Sequence, residues 1–235
     1  PFRLFYHKIR AIIANIYYGF PSKNMVIIWV TWTNWKTTTC NIIAKWLRSA
    51  WKKVFLFSTV NIIIDDKEYQ NDTKMTSPDA FELQRLLKLA KKQWCEIAII
   101  ETASHGIKMH RVWWIEYDIA VLTNITQDHL DLHKTMDDYV NTKLKLFKEL
   151  ISNIRKPWIK KTAIINKNSN YSDLFLDETY DSLFTYGIWR WVDLVAWNIS
   201  HINKETQFDL RIPWEIIKIE TKLKWDFNIS NILAA

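Results

Sequence analysis

The chain is short of glycine. It has 3 in 235 residues, where average usage of about 7% would give roughly 16. Without glycine a chain has no strain-free way to take a positive φ, to close a helix, or to bring its backbone against a phosphate. Cysteine is scarce too. The 2 cysteines, Cys40 and Cys95, lie far apart in apolar helix- or strand-like contexts. That excludes a disulfide framework and fits buried thiols in a reducing cytosol. No cleavable signal is expected. The apolar stretch from Ala11 to Phe20 is too short to span a bilayer. Internal repeats and low-complexity linkers are absent as well.

In place of glycine the chain has tryptophan, 14 residues. Together the two types reach about the number expected for glycine alone. The contexts agree with the count. Trp51 in "SAWKKV" and Trp94 in "KKQWCEIAII" sit between a helical pattern and a strand, where a C-cap wants glycine. Trp158 and Trp214 follow prolines, and Pro-Gly is a turn dipeptide. Trp189 and Trp191 flank Arg190 just after Gly187. The expectation is that UGA codons, translated here as tryptophan, are read as glycine in the source organism. The alternative, a truly tryptophan-rich protein, breaks many local rules together.

Charge sets a further bound. The net charge is +7 and the pI near 9.2. This fits either a solvated lysine-rich surface or a polyanionic ligand such as a nucleotide. No interleaved basic and aromatic run points to nucleic acid. The segment "PFRLFYHKIRAIIANIYYGF", residues 1–20, is basic and then apolar. It is expected to form an N-terminal helix packed on the domain, with contact to a membrane surface as the alternative.

Strand-like and helix-like runs alternate along the chain. Val26–Thr31, Val54–Thr59, "CEIAIIE", "YDIAVLTNI" and "KTAIIN" read as strands. Residues 36–50, about 80–93 and 137–150 read as helices, the second started by Pro78-Asp79. The pattern predicts an α/β fold: a P-loop-containing, mainly parallel sheet with helices on both faces. After about Tyr180, "DLVAWNIS", "ETQFDLRI" and "EIIKIETKL" alternate with period two. They predict a small antiparallel sheet near the C-terminus. The closing "NISNILAA" reads as the start of a helix and suggests a truncated C-terminus.

Four stretches carry chemistry. In "WVTWTNWKTT", glycine at 29, 32 and 35 would turn Thr31, Trp32, Thr33, Asn34 and Trp35 into a loop whose N–H groups curl around phosphate oxygens. Lys36 would then reach the outer phosphates, Thr37 could hold Mg²⁺, and Thr38 would continue the helix start. The spacing departs from the strict eight-residue loop, since Val30 falls where its first glycine would be. Retained as tryptophan, positions 32 and 35 would plug the phosphate site and leave a non-catalytic binding protein. In "IIETASHGIKMHR", Glu101 ends a buried strand, where a carboxylate commonly serves Mg²⁺. Ser104, His105, His110 and Arg111 follow it. The third, "LTNITQDHLDLH", presents Asp128, His129, Asp131 and His133, with no cysteine and no common zinc spacing. The fourth, "DDYVNTKLKLF", is a helix carrying Lys143 and Lys145, which composition alone would call solvated.

Together with "MTSPDAFELQRLL" and "WDFNISNILAA", these stretches resemble the Mur ligase family over residues 21–235, specifically the branch that adds the third residue to UDP-N-acetylmuramoyl-dipeptide. The resemblance implies that residues 21–235 are the family's central ATP-binding domain, truncated and without its uridine-binding and C-terminal domains. It implies a cytoplasmic, ATP-dependent amide ligase of peptidoglycan synthesis, working through an acyl phosphate. This fragment would bind nucleotide without completing a turnover alone. By resemblance Lys36 and Thr37 hold ATP phosphates and Mg²⁺, and Glu101 and His129 are Mg²⁺ ligands. Lys143 matches a lysine carried as a carbamate. Asn231, with Asn228 beside it, matches an adenine contact. Thr76, Ser77, Ser104, His105 and Arg111 match contacts to the UDP-sugar-peptide. Ser77 departs from the usual threonine, and Lys134 replaces a frequent glycine. The resemblance also has glycine at the loop positions and at 225, while Trp113 matches a tryptophan beside a glycine at 114. Folylpolyglutamate synthases are the near alternative. They typically carry Gly-Ser where this chain has Thr37-Thr38, and they lack the "SHG…HR" block.

Overall fold

The computed structural model describes residues 2–31, 36–73, 75–125, 135–202 and 205–235, with side chains from residue 4 onward. Helix α1 (Phe2–Tyr18) turns its small residues Ala11 and Ala14 inward, where they pack with Ala80 and Phe81. Its bulkier residues Phe5, Ile13, Ile16 and Tyr17 face outward. Among the described residues no helix is long and apolar enough to cross a membrane.

Strand β1 (Val26–Thr31) leads to helix α2 (Lys36–Ser49), then to β2 (Val54–Phe57) and a hairpin of β3 (Asn61–Ile64) and β4 (Lys67–Gln70). Helix α3 (Ala80–Lys92) starts on Asp79, whose side chain accepts from Phe81 N and pairs with Arg10 at 2.8 Å. Strand β5 (Ile97–Thr102), the short α4 (Ser104–Lys108) and β6 (Ile119–Leu122) follow. Helix α5 (Met136–Ser152) is capped by Thr135 and has Asp137 and Asp138 in its first turn, which suits the helix dipole. The rest is β7 (Thr162–Asn166), α6 (Asp173–Leu176), β8 (Ser182–Ile188), β9 (Leu194–Ile202), β10 (Glu205–Ile212), β11 (Glu215–Thr221) and α7 (Asp226–Ala234).

The strands form one sheet in the order β11-β10-β9-β8-β7-β6-β1-β5-β2-β3-β4. Pairs from β2 through β5, β1, β6, β7 and β8 to β9 are parallel. The antiparallel strands β9, β10 and β11 extend that same sheet, because β9 pairs in parallel with β8. Central strands are buried on both faces. Ile27 and Trp29 enter the core beneath α3 and α5, while Ile28 and Val30 enter the core beneath α2 and α7. From β1 the chain crosses to β2 on one side and later places β6 on the other. The carboxyl ends of β1 and β5 therefore meet at a topological switch point, where α/β sheets bind ligands.

Tryptophans occupy backbone conformations that suit glycine. Trp51, Trp94, Trp114, Trp189 and Trp225 have φ between 55° and 76°, values rare for bulky residues. Helix α1 supplies an internal control. There Gly19, at φ 70°, closes the helix with Gly19 N donating to Ile16 O and Phe20 N to Asn15 O. The same paired bonds close α2 around Trp51 (to Arg48 O and from Lys52 N to Leu47 O) and α3 around Trp94 (to Lys91 O and from Cys95 N to Ala90 O). This is the C-terminal motif that places glycine in the left-handed region. Trp51 is 93% and Trp94 80% exposed, so neither indole gains packing in return. Left-handed backbone costs an L-residue about 1–2 kcal/mol. Trp51→Gly and Trp94→Gly should each raise the melting temperature by about 2–8 °C in a chain this size. Unchanged or lower melting points in both would show that the indoles carry their own weight.

Trp29 differs. It is a residue of β1, completely buried, stacked on Tyr117 at 3.7 Å. It does not have the positive φ of the five above. Its indole N–H is buried without a hydrogen-bond partner, a loss of about 1–3 kcal/mol. Position 29 therefore belongs to the strand.

Candidate active site at the carboxyl edge of the sheet

The end of β5 presents Glu101, which is 1% exposed. A carboxylate so buried needs several donors. Its Oε2 accepts from Thr37 Oγ1 at 2.9 Å and from Thr59 N at 2.7 Å, and its Oε1 accepts from Thr59 Oγ1 at 2.9 Å. Thr37 is in the first turn of α2, so the hydroxyl, the carboxylate and the positive end of the helix dipole converge. Lys36 opens the same turn and is partly exposed. Two hard oxygen donors 2.9 Å apart fit a divalent cation of the Mg²⁺ type.

Thr31 ends β1 fully buried, and its Oγ1 lies 3.5 Å from Nζ of Lys143. Lys143 is completely buried within α5, its ammonium 4.7 Å over the Tyr139 ring. Composition would have left it in solvent; the fold points it at the carboxyl end of β1. Trp32, Thr33, Asn34, Trp35 and His129 lie outside the described residues, as do Asp128, Asp131, His133 and Lys134.

The stretch matched to substrate contacts is adjacent. Thr76 Oγ1 is 3.0 Å from Thr59 Oγ1. Ser77 Oγ accepts from Ala103 N at 3.3 Å, and Ser77 O accepts from Arg111 Nη1 at 3.1 Å. Ser104 is buried at the start of α4, and His105 is exposed beside it. Gly106 is required here, since a Cβ would come within 2.3 Å of Ser77 Oγ. The fold thus brings Thr76, Ser77, Ser104 and Arg111 together beside Glu101.

At the far side of α2, Asn231 is fully buried. Its Oδ1 accepts from Thr39 Oγ1 at 3.2 Å and its Nδ2 donates to Asn228 Oδ1 at 3.0 Å, so the amide also ties α7 to α2. Asn228 is 9% exposed. Thr38, partly exposed, lies in the first turn of α2. A cavity of about 260 Å³ flanks α7, lined by Asn124, Asn166, Asn168, Asp226 and Ser230 among others. Cys40 and Cys95 are buried and free. Burial first, and then the Glu101 carboxylate, holds the Cys40 thiol well above its ordinary pKa. Burial pushes Cys95 up to about 11. Both are inert thiols.

Sequence reasoning missed Thr59 and Thr39. Thr59 had a usable signal: it closes the "VFLFST" stretch on the same edge of the sheet as Glu101. Thr39 had none, because its partner is Asn231, 192 residues away.

The family model described as "Mur ligase middle domain" matches residues 30–235. The chain is 36% identical over 225 residues to a Bacillus cereus protein named UDP-N-acetylmuramoyl-L-alanyl-D-glutamate--2,6-diaminopimelate ligase, covering 96% of this chain and 45% of that one. It is 34% identical over 229 residues to UDP-N-acetylmuramyl-tripeptide synthetase 2 of Oceanobacillus iheyensis, covering 97% and 46%. The chain therefore spans about half the length of these curated relatives. Among solved structures, a UDP-N-acetylmuramoyl-L-alanyl-D-glutamate--2,6-diaminopimelate ligase shares the fold with a TM-score of 0.83 at 24% identity, over 97% of this chain and 46% of that one. A folylpolyglutamate synthetase from Lactobacillus casei gives 0.68 at 15% identity, over 97% and 60%.

Proposed function

The chain belongs to the Mur ligase family, and from that premise we propose that it is the ATP-binding part of an amide ligase of peptidoglycan synthesis. The ligase joins an amino acid to UDP-N-acetylmuramoyl-peptide in the cytoplasm. The observation that carries the reading is the Thr37–Glu101 pair at the switch point, with the substrate-matched Thr76, Ser77 and Arg111 within the same hydrogen-bonded neighbourhood. In this reading a substrate carboxylate attacks the γ-phosphate of ATP, and an amine then displaces phosphate from the acyl phosphate. Lys36 and the N-terminus of α2 stabilise the negative charge that both steps gather. Thr37, Glu101 and His129 would hold Mg²⁺, which when bound supplies further positive charge at the phosphates. Thr76, Ser77, Ser104, His105 and Arg111 orient the UDP-sugar-peptide. Asn228 and Asn231 serve the adenine end, with the amide-lined cavity beside α7 as its surroundings. The free, inert thiols support a reducing compartment.

Titration calorimetry with ADP and ATP, and with UDP-N-acetylmuramoyl-dipeptide against a folate polyglutamate, tests the reading. With glycine at 32 and 35, Lys36→Ala should weaken nucleotide binding by roughly 10- to 100-fold, the value of one charge-assisted hydrogen bond. Arg111→Ala should weaken the UDP-sugar-peptide alone. Preference for the folate, which would favour the folylpolyglutamate synthase alternative, would overturn the substrate assignment, and nucleotide affinity indifferent to Lys36 would overturn the loop assignment.

A further inference from the structure

We propose that Thr59 is the positioning residue of the metal carboxylate, clamping both oxygens of Glu101 and linking them to the substrate stretch through Thr76. The inference rests on the reading of Glu101 as a metal ligand. Among the described residues Thr59 supplies two of the three donors that Glu101 receives: its N–H at 2.7 Å to Oε2 and its hydroxyl at 2.9 Å to Oε1. Two bonds from one residue to the two oxygens fix the rotation of the carboxylate as well as its place. A single contact would fix neither.

Thr59 is itself held. Ser58 O accepts from Asn71 Nδ2 at 2.8 Å, Ser58 N donates to Asn61 O at 3.0 Å, and Asn61 N donates to Ser58 Oγ at 3.0 Å. The turn after β2 is thereby closed by three bonds, and the Thr59 N–H is aimed before any ligand arrives. Its hydroxyl has one hydrogen, and an ionised carboxylate can only accept. The Thr59 hydrogen therefore goes to Glu101, and Thr76 is the donor across the 3.0 Å contact. Thr76 adjoins Ser77, whose carbonyl is held by Arg111. A continuous path of hydrogen bonds thus runs from the substrate-matched residues to the carboxylate and on to Thr37. A substrate that draws on the Thr76 hydroxyl changes what Thr59 receives, and so bears on the metal ligand.

Mn²⁺ in place of Mg²⁺ tests this on the full chain, as written and with glycine at 32 and 35. Loss of the free-ion resonance signal counts bound ion, with and without ADP. Thr59→Val keeps the shape and the N–H but removes the hydroxyl; Mn²⁺ affinity should fall about tenfold. Thr59→Ser should stay within about twofold, and Thr76→Val should shift in the same direction by less. Should Thr59→Val fail to fold, Thr59→Ala makes the same comparison. Unchanged Mn²⁺ affinity in the valine or alanine variant overturns the clamp, and so does a serine variant as weak as they are. A chain that binds ADP but no Mn²⁺ sinks the clamp and leaves the nucleotide reading standing. A chain whose Mn²⁺ affinity depends on Thr59 but which binds no ADP does the reverse.

Discussion

Replacing Trp32 and Trp35 together with glycine is expected to raise ADP and ATP affinity by at least about a hundredfold over the chain as written. Hydrogen bonds to a charged partner are worth about 1.5–3 kcal/mol each, so two recovered phosphate contacts amount to roughly 10²- to 10⁴-fold. The cause is steric. A phosphate loop presents its own N–H groups inward, and a side chain at the inward positions takes the place of the phosphate. The described part of the chain supports the substitution independently of the loop. One helix closes on Gly19, and two others close with the same bonds on Trp51 and Trp94. Trp225, at φ 76° and ψ 144°, precedes α7 in a region that is essentially glycine's own. Reading the codons is the companion measurement. UGA at 32, 35, 51, 94 and 225 would establish glycine in the source organism. Nucleotide binding as tight with tryptophan as with glycine would sink the steric argument. UGG throughout, with the phosphate site plugged, would make the indoles native, and the ATP-dependent reaction would then have to be abandoned for this chain.

The candidate site was legible wherever one of its residues ends a strand or starts a helix. Glu101 after "EIAII" and Lys36-Thr37 after a buried run stand where the sheet's switch point puts ligands, and periodicity alone finds both. What escaped is what depends on pairing across long separations. Period two in β9, β10 and β11 predicts antiparallel strands correctly, but cannot tell that β9 lies along β8 and makes one sheet of all of them. Trp29 falls in the expected strand Val26–Thr31, but nothing in the sequence shows that it stacks on Tyr117. The opposite edge holds a larger surprise. Asp118 is fully buried, accepts from Ile27 N, and pairs with Lys156 at 2.5 Å and Lys161 at 3.4 Å. In sequence those lysines look solvated, because their partner is some forty residues distant. Burial holds both below the ordinary lysine range, against the pull of Asp118.

Lys143 is the third such lysine, and the prediction it carries is nearly all-or-none. Incubated with ¹³C-bicarbonate, the chain should show one carbamate carbonyl resonance, and Lys143→Arg should remove it completely. The physical case begins with burial. An ammonium taken fully out of water loses several kcal/mol of hydration, and Lys143 is completely buried, over the Tyr139 ring and 3.5 Å from the Thr31 hydroxyl. The neutral amine is the form that attacks carbon dioxide, and the carbamate forms as its proton is released. The product is an anion, and an anion beside Thr31 stands at the same strand ends as the Thr37–Glu101 pair proposed for Mg²⁺. The cation would stabilise the carbamate, and the carbamate would add an oxygen ligand of the kind Mg²⁺ prefers. The resonance should therefore strengthen when Mg²⁺ and ADP are added, and Glu101→Gln should weaken that response without abolishing the signal. Lys145, two residues on, is exposed and is the control: Lys145→Arg should leave the resonance intact. A carbamate signal that survives Lys143→Arg would assign the modification elsewhere. Its absence in the unsubstituted chain, with Mg²⁺ and ADP present, would overturn the modification.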